Sequence, residues 1–229
     1  MPNLYEHDDG VVRAVVDRLG HDLEPSILIG GWATFVRVGG EISLDLDLIT
    51  SHQSRHKLEQ RLADLSPSNH HHGRKLRATL DNVHLDIYLP FESHLGSKLR
   101  LKVEVLAEYP DELSFEKWTL LRLEAHIATK MAALLDRHSS VKGEKDAREI
   151  LALLKLEGVD AVVGAEVLDR ASTIDLEELP AVISKAFDLI GAILPLSKAD
   201  QKLVAAAKKS WVTQLQRRGD RPQQARPRL

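Results

Sequence analysis

The 229-residue sequence has no cysteine, which removes disulfides and thiolate metal sites together. It has no apolar run near the ~20 residues that a membrane-spanning helix requires. Its first ten residues, "MPNLYEHDDG", show no basic region followed by an apolar core, so no secretory leader is expected and a cytoplasmic protein is. Charge of one sign is also lacking. Thirty-one Lys and Arg stand against 34 Asp and Glu, a formal net charge of −3, which argues against a chain that coats nucleic acid but leaves room for a local basic groove. There is no Walker A loop, no GxGxxG and no nucleophile elbow, so a P-loop ATPase or a Rossmann dehydrogenase finds no support. What is present is ordinary for a soluble globular protein: 43% hydrophobic and 28% charged residues, with length for one large domain or two small ones.

The pattern along the chain is α/β first and all-α second. Apolar residues at helical spacing fill Gly10 to Leu19, and Gly20 closes that segment. Ser26 to Ile29 reads as a short buried strand, "GWATFVRV" as a helix stopped by Gly39 and Gly40, and Glu41 to Ile49 as an alternating strand. Gln53 to Leu65 forms an amphipathic helix with Leu58, Leu62 and Leu65 on one stripe. "SPSNHHHG" reads as a loop, in which His70, His71 and His72 have no carboxylate pattern around them. "RKLRATL" and "VHLDIYLP" are two strands joined by a tight turn at Asp81-Asn82. Ser97 to Pro110 fits a strand, a helix or one after the other, and Ser114 to Thr119 a last strand. Helical patterns then run from Leu120 to the basic, proline-bearing end, which is expected to be disordered. Trp32, Trp118 and Trp211 are expected in cores or interfaces.

The informative stretch is "ILIGGWATFVRVGGEISLDLDLIT", Ile27 to Thr50. On a strand, residues two apart point the same way, so Ser43, Asp45 and Asp47 share one face and Leu44, Leu46 and Leu48 the other. Such a strand can simply show its polar face to water. Two further features point elsewhere. Gly30 and Gly31 follow a buried strand and open a helix, where glycine admits close approach to a ligand and free N–H groups face anions such as phosphate. Asp86 sits in "HLDIYL" between apolar neighbours, where an unpaired carboxylate is costly to bury. If the two strands adjoin, three carboxylates converge, as a two-metal phosphoryl-transfer site needs. An exposed edge-strand aspartate is the plainer alternative for Asp86. Glu104, in "LKVEV", is its rival as third carboxylate.

A glycine pair, then Asp-x-Asp, then a later apolar-Asp-apolar strand resembles the nucleotidyltransferase superfamily of polymerase β-like fold. "HIATKMAALLDRHSSVKGEKDAREILALL" further resembles a segment of the AbiEii/AbiGii-type family, which includes toxins of type IV toxin–antitoxin systems. The resemblance covers roughly Ile27 to Leu154. With the pattern along the chain it points to an α+β protein, a nucleotidyltransferase-like domain with a mixed sheet over residues 1–119; the all-α domain over 120–218 and the basic tail over 219–229 are expected from the pattern alone. The resemblance implies that Asp45, Asp47 and Asp86 hold Mg²⁺ (or Mn²⁺), that Gly30, Gly31 and Ser43 contact the phosphates of a nucleoside triphosphate such as ATP, and that Lys130 and Asp146 are functional. Lys130 and Arg137, seven apart on one helix face, would neutralise the leaving group. The acceptor implied is RNA, with the tRNA 3′ end as one form, and an antitoxin protein is an implied partner.

Plainer readings stand beside these. Lys130 could snorkel at the edge of an apolar stripe, and Asp146 could simply stabilise a helix N-terminus. Arg137, Lys142 and Lys145 could form a solvated loop. The chain also departs from the pattern, since Glu41 stands about where many relatives carry an arginine, with Arg37 as a substitute. A non-catalytic nucleotide- or partner-binding protein and a transferase acting on protein are the alternatives.

Overall fold

A computed structural model describes residues 8–20, 22–41, 43, 45–70, 73–111 and 119–220. The first part of the chain runs α1 (Asp8–Gly20), β1 (Ile27–Ile29), α2 (Gly30–Val38), β2 (Asp45–Ile49), α3 (His52–Arg61), β3 (Ser66–His70), β4 (Gly73–Leu80) and β5 (Val83–Tyr88). Then come β6 (His94–Leu95), β7 (Leu101–Lys102), α4 (Val103–Leu106) and β8 (Thr119–Leu120). Helices α5 (Leu123–Arg137), α6 (Val141–Leu154), α7 (Ala161–Ala171), α8 (Leu179–Ile193) and α9 (Lys198–Gly219) complete the described chain. Six strands form one sheet in the order β3-β4-β5-β2-β1-β8. It is mixed, because β2 runs parallel to β5 and β1 to β8 while the remaining pairs are antiparallel. The fold is therefore α+β with helices gathered toward the C-terminal side, in agreement with the sequence pattern.

Side-chain alternation sorts this sheet into two faces. Leu28, Leu46, Leu48, Leu76, Ala78, Leu85 and Ile87 turn to one side. There they are buried with Val12, Val15, Val16 and Leu19 of α1, Trp32 of α2 and Leu58 of α3. The other parity carries Ile27, Ile29 and Ile49 into a second core with residues of α5 to α9. That core crosses Leu120, so sheet and helices share packing where the sequence pattern changes. Trp32 and Trp211 are both 1% exposed, the core positions expected of them, whereas Trp118 lies outside the described residues.

Three expectations need correction or completion. Ser66–His70 is not a loop but an edge strand paired antiparallel with β4. Its polar residues hide it from a hydrophobicity pattern, because an edge strand is held by backbone hydrogen bonds and admits proline, here Pro67. His71 and His72 lie outside the described residues. The ambiguous segment after Ser97 resolves into β7 followed at once by α4. Of the expected Ser114–Thr119 strand, only its end, joined to Leu120 as β8, is described, and the C-terminal residues 221–229 are not. The Asp81-Asn82 turn is as read, with φ of 50° and 64°, the pair of left-handed residues a tight hairpin requires. Among the described residues no helix is long and apolar enough to cross a membrane.

The α5–α6 junction is closed by Gly143, which receives no room for a side chain. A Cβ there would lie 2.2 Å from the Arg137 carbonyl oxygen, a backbone atom that cannot rotate away. Helix propensity alone says Gly143→Ala should stabilise α6 by about 1 kcal/mol. Steric overlap says it should destabilise by about 2–3 kcal/mol. Chemical denaturation is expected to give the second sign, and a variant as stable as the wild type would show that the junction can open freely.

Candidate active site

The register of two parallel strands builds the floor of the site. Asp47 of β2 stands directly beside Asp86 of β5, and Asp45 beside His84. On the next strand Arg77 of β4 faces Asp86. By alternation Asp45, Asp47, His84, Asp86, Tyr88, Lys75 and Arg77 share the face that carries Ile27, Ile29 and Ile49 further along. All seven of these polar residues line a cleft of about 870 Å³.

Glycine brings the start of α2 to this floor. Ile29 of β1 pairs with Asp47, so the next residue, Gly30, emerges against that carboxylate. Gly30 has φ +73°, and a Cβ on it would lie 2.2 Å from Asp47 Oδ2, so both its conformation and its space demand glycine. At Gly31 a Cβ would lie 2.9 Å from Ser43 Cβ, which places Ser43 over the helix start. The α2 N-cap, Ile29, makes no side-chain capping hydrogen bond, and a helix start of this kind is one that an anion can face.

The opposite wall comes from α5 and α6. Lys130, Arg137, Lys142, Lys145, Asp146 and Glu149 all line the same cleft. Arg137 grips Asp146 with two hydrogen bonds of 2.7 and 2.9 Å. Lys130 donates to Glu149 and lies 3.9 Å from Asp146. Lys130 and Asp146 are buried in this network, so neither is a snorkelling or helix-end charge. Lys142 reaches across to Asp45 at 3.5 Å. The structure thus brings Gly30, Gly31, Ser43, Asp45, Asp47, Asp86, Lys130, Arg137 and Asp146 to one cleft.

It does not bring Glu104 or Arg37 there. Glu104 accepts the Phe91 backbone N–H at 3.0 Å and lines a separate, smaller groove with Pro90 and Arg170. Arg37 pairs with Asp111 at 2.5 Å and donates to the Leu121 carbonyl, with its side chain only 5% exposed, so it braces the fold and is not a phosphate ligand. Glu41 pairs with Lys145 and Arg148 on α6, at 3.8 and 3.4 Å.

Sequence reading missed Glu149, Lys75, Arg77 and Tyr88. Lys75 and Arg77 lie two residues apart along β4, and Tyr88 lies two from Asp86 along β5, so alternation offered a signal. Glu149 sits one helical turn after Asp146, and nothing but that spacing marked it.

Charge compensation is uneven across the floor. Asp86 is engaged by Lys75 and, at 3.0 Å, by Arg77. Asp45 has Lys142. Among the described residues no cation lies within ion-pair distance of Asp47, whose partner is the Tyr88 hydroxyl, donating at 3.3 Å. Burial and the adjacent Asp86 push the Asp47 carboxyl up to about 6, against the pull of Lys130 and Lys75. Burial, then Asp47 and Asp86, holds the Tyr88 phenol well above its ordinary range. Burial raises Glu149 despite Lys130. For Arg137, burial opposes the charge, and the bond to Asp146 together with the charges of Asp146, Asp47 and Glu149 outweighs it.

This donor set fits a hard divalent cation in chemistry, since it offers carboxylate oxygens around one uncompensated charge. Among the described residues, however, no three acidic or histidine side chains are gathered so as to hold a metal as they stand. Lys75 and Arg77 must yield Asp86 before it can join Asp45 and Asp47.

No family model and no curated protein matches the sequence. Solved structures show slight likeness, among them two nucleotidyltransferase-type proteins. A candidate nucleotidyltransferase from Thermotoga maritima is 16% identical with a TM-score of 0.38, covering 51% of this chain and 78% of that one. An antigenic nucleotidyltransferase-like protein from Paracoccidioides brasiliensis is 16% identical with a TM-score of 0.36, covering 63% and 72%. Likeness at this level carries no argument, and the site rests on its own geometry.

The Asp47 shift has a definite sign. Its folded pKa exceeds the ordinary 3.8, so the native state holds this proton more tightly than the unfolded chain. The stabilisation is full below about pH 4 and is lost as pH rises through about 6. Asp47→Asn cannot ionise. It should match the wild type near pH 4 and exceed it above pH 7 by about 3 kcal/mol, a gain of several degrees in melting temperature. Equal melting temperatures for the two proteins from pH 4 to pH 8 would mean Asp47 is not a strained carboxylate.

Proposed function

We propose that the chain is a Mg²⁺-dependent nucleotidyltransferase that moves a nucleoside monophosphate from a nucleoside triphosphate to an acceptor hydroxyl. The observation that carries this reading is Asp47 and Asp86 side by side in register, with the glycine-opened start of α2 on one flank and a cationic helical wall opposite. The triphosphate lies against the N–H groups at Gly30 and Gly31 and the Ser43 hydroxyl. Lys130 and Arg137, already oriented by Glu149 and Asp146, face the departing phosphates with their remaining donors. Lys142 and Lys145 add charge from the rim.

Held by Asp45, Asp47 and Asp86, Mg²⁺ or Mn²⁺ would supply charge neutralisation at the α-phosphate and acidify the acceptor hydroxyl. The bond from acceptor oxygen to the α-phosphorus forms as the bond to the bridging oxygen breaks. Pyrophosphate leaves with that electron pair, and Asp86, on the strand nearer the β3–β4 hairpin, takes the hydroxyl proton. RNA is the proposed acceptor and a cytoplasmic toxin with a cognate antitoxin the proposed setting. Both rest on the sequence resemblance, and Arg74, Lys75 and Arg77 on the hairpin side are suited to phosphate contacts.

One observation favours a second reading, a nucleotide-binding protein without turnover: Asp86 is occupied by Lys75 and Arg77. A single assay separates the two. Each labelled nucleoside triphosphate is incubated with Mg²⁺, protein and either total RNA or lysate protein. Label entering RNA is expected, and Asp45→Asn should reduce it at least 100-fold while remaining folded. Label in protein would replace the acceptor class. Inertness with every nucleotide and acceptor, under both Mg²⁺ and Mn²⁺, would leave the binding protein.

A further inference from the structure

Tyr88 closes β5, and its backbone is fixed from both sides of the strand pair. It stands in register with Ile49, and its carbonyl accepts the Thr50 N–H at 3.1 Å. From this anchored position its side chain reaches two carboxylates by different means. The hydroxyl donates to Asp47 Oδ1 at 3.3 Å. The ring lies under Lys75, whose ammonium is 5.7 Å from the ring centroid and pairs with Asp86.

Asp47 is thereby caught between two backbone-anchored groups. Oδ1 receives the Tyr88 hydroxyl, and Oδ2 faces Gly30, where even a methyl group would lie at 2.2 Å. The hydroxyl thus favours one orientation of the carboxylate plane. Asp86 is steadied at one remove, through the lysine seated on the same ring. An ordinary core tyrosine would bury its ring among apolar side chains and send its hydroxyl to water or a carbonyl. Here both ends of the residue are spent on the acidic floor.

We infer that Tyr88 is the positioning residue of this floor, its hydroxyl orienting Asp47 and its ring seating the lysine that holds Asp86. This deepens the transferase reading and rests on it for the cation that Asp45, Asp47 and Asp86 would share. The contacts that Tyr88 makes on the floor are to Asp47 and to the lysine on Asp86, so it acts through the two aspartates. Removing the hydroxyl alone should leave the fold and the nucleotide's phosphate contacts intact and loosen only the cation. Loss of an orienting partner of a metal ligand typically weakens metal affinity 10–100-fold.

The test uses the full chain and Mn²⁺ as probe, read by loss of the free Mn²⁺ paramagnetic resonance signal, with no turnover required. Tyr88→Phe is expected to melt within a few degrees of the wild type, to bind ATP in the presence of EDTA with unchanged affinity and to bind Mn²⁺ about 10-fold more weakly. Tyr88→Leu removes the hydroxyl too and unseats Lys75, which competes with the cation for Asp86, so its Mn²⁺ affinity should lie between those of Tyr88→Phe and the wild type. A folded Tyr88→Phe with wild-type Mn²⁺ affinity overturns the inference and leaves the transferase reading standing. Weakening of ATP binding in EDTA by the same factor as Mn²⁺, or failure of Tyr88→Phe to fold, makes the residue structural and overturns it as well. A wild type that binds no Mn²⁺ removes the cation-holding floor, and with it the transferase reading and this inference together.

Discussion

Two carboxylates are forced to stand side by side by the parallel register of β2 and β5, and much of the cleft follows from that. Asp47 and Asp86 are neighbours across a strand pair, where like charges repel. The surrounding residues answer the repulsion locally. Lys75 and Arg77, on the strand beyond, take Asp86, and Lys142 takes Asp45. Asp47, deepest against the helix start, keeps only a phenol and so keeps a raised affinity for a proton. A floor with one charge left open differs in this from a fully paired one, and the proposed cation would answer that charge.

The same sheet face is asked to do two things. Toward β1 it carries Ile27, Ile29 and Ile49 into the helical core, and toward β4 it carries the charged floor. The helical wall is therefore not placed by its own loops alone. Helix α5 is pressed onto the sheet by that apolar core. A buried polar contact adds a second tie: His126 lies 3.1 Å from Thr34 Oγ1, which donates to the Gly30 carbonyl. Burial, with Lys130 and Arg37 nearby, holds His126 well below its usual range, so it is neutral in this contact. Lys130 lies one turn further along α5. The distance between the glycine pair and the lysine is thus set through packed side chains, in an interior that deforms little.

Much of this was legible in the sequence, for reasons that differ by residue. Asp45, Asp47 and Asp86 declared themselves because a carboxylate breaking an apolar strand at period two is rare and costly. Gly30 and Gly31 declared themselves because they sit where a buried strand must become a helix. Tyr88 and Lys75 did not, since an aromatic or a lysine in a strand is unremarkable until its neighbour across the ladder is known, and register is not written in one strand. The β3 edge strand escaped for a related reason: its pairing uses backbone atoms, so Ser66 to His70 has no apolar signature to show. Arg37, the substitute for an arginine before Asp-x-Asp, does not serve as one, because its place a few residues upstream says nothing about direction. Its position on α2 turns it toward Asp111 and Leu121, away from the cleft.

The ion pairs that fill the cleft differ in how readily they can be given up, and this orders the events that binding an anionic nucleotide would require. Lys142 and Asp45 are 69% and 46% exposed at a separation of 3.5 Å, the kind of surface pair worth at most about 1 kcal/mol. Lys142 can leave Asp45 for a phosphate at almost no cost, and its departure opens a second floor carboxylate beside Asp47. Asp146, by contrast, has a side chain only 1% exposed, and the Lys130 and Glu149 side chains are 5% and 11% exposed. Breaking a buried pair by removing one partner costs several kcal/mol, so Asp146 and Glu149 must keep Lys130 and Arg137 while those cations use their other donors. Between these extremes lies Lys75, 12% exposed and bound to an Asp86 that is 21% exposed. Its release is neither free nor prohibitive, and together with that of Arg77 it would free Asp86 to face a ligand in common with Asp45 and Asp47.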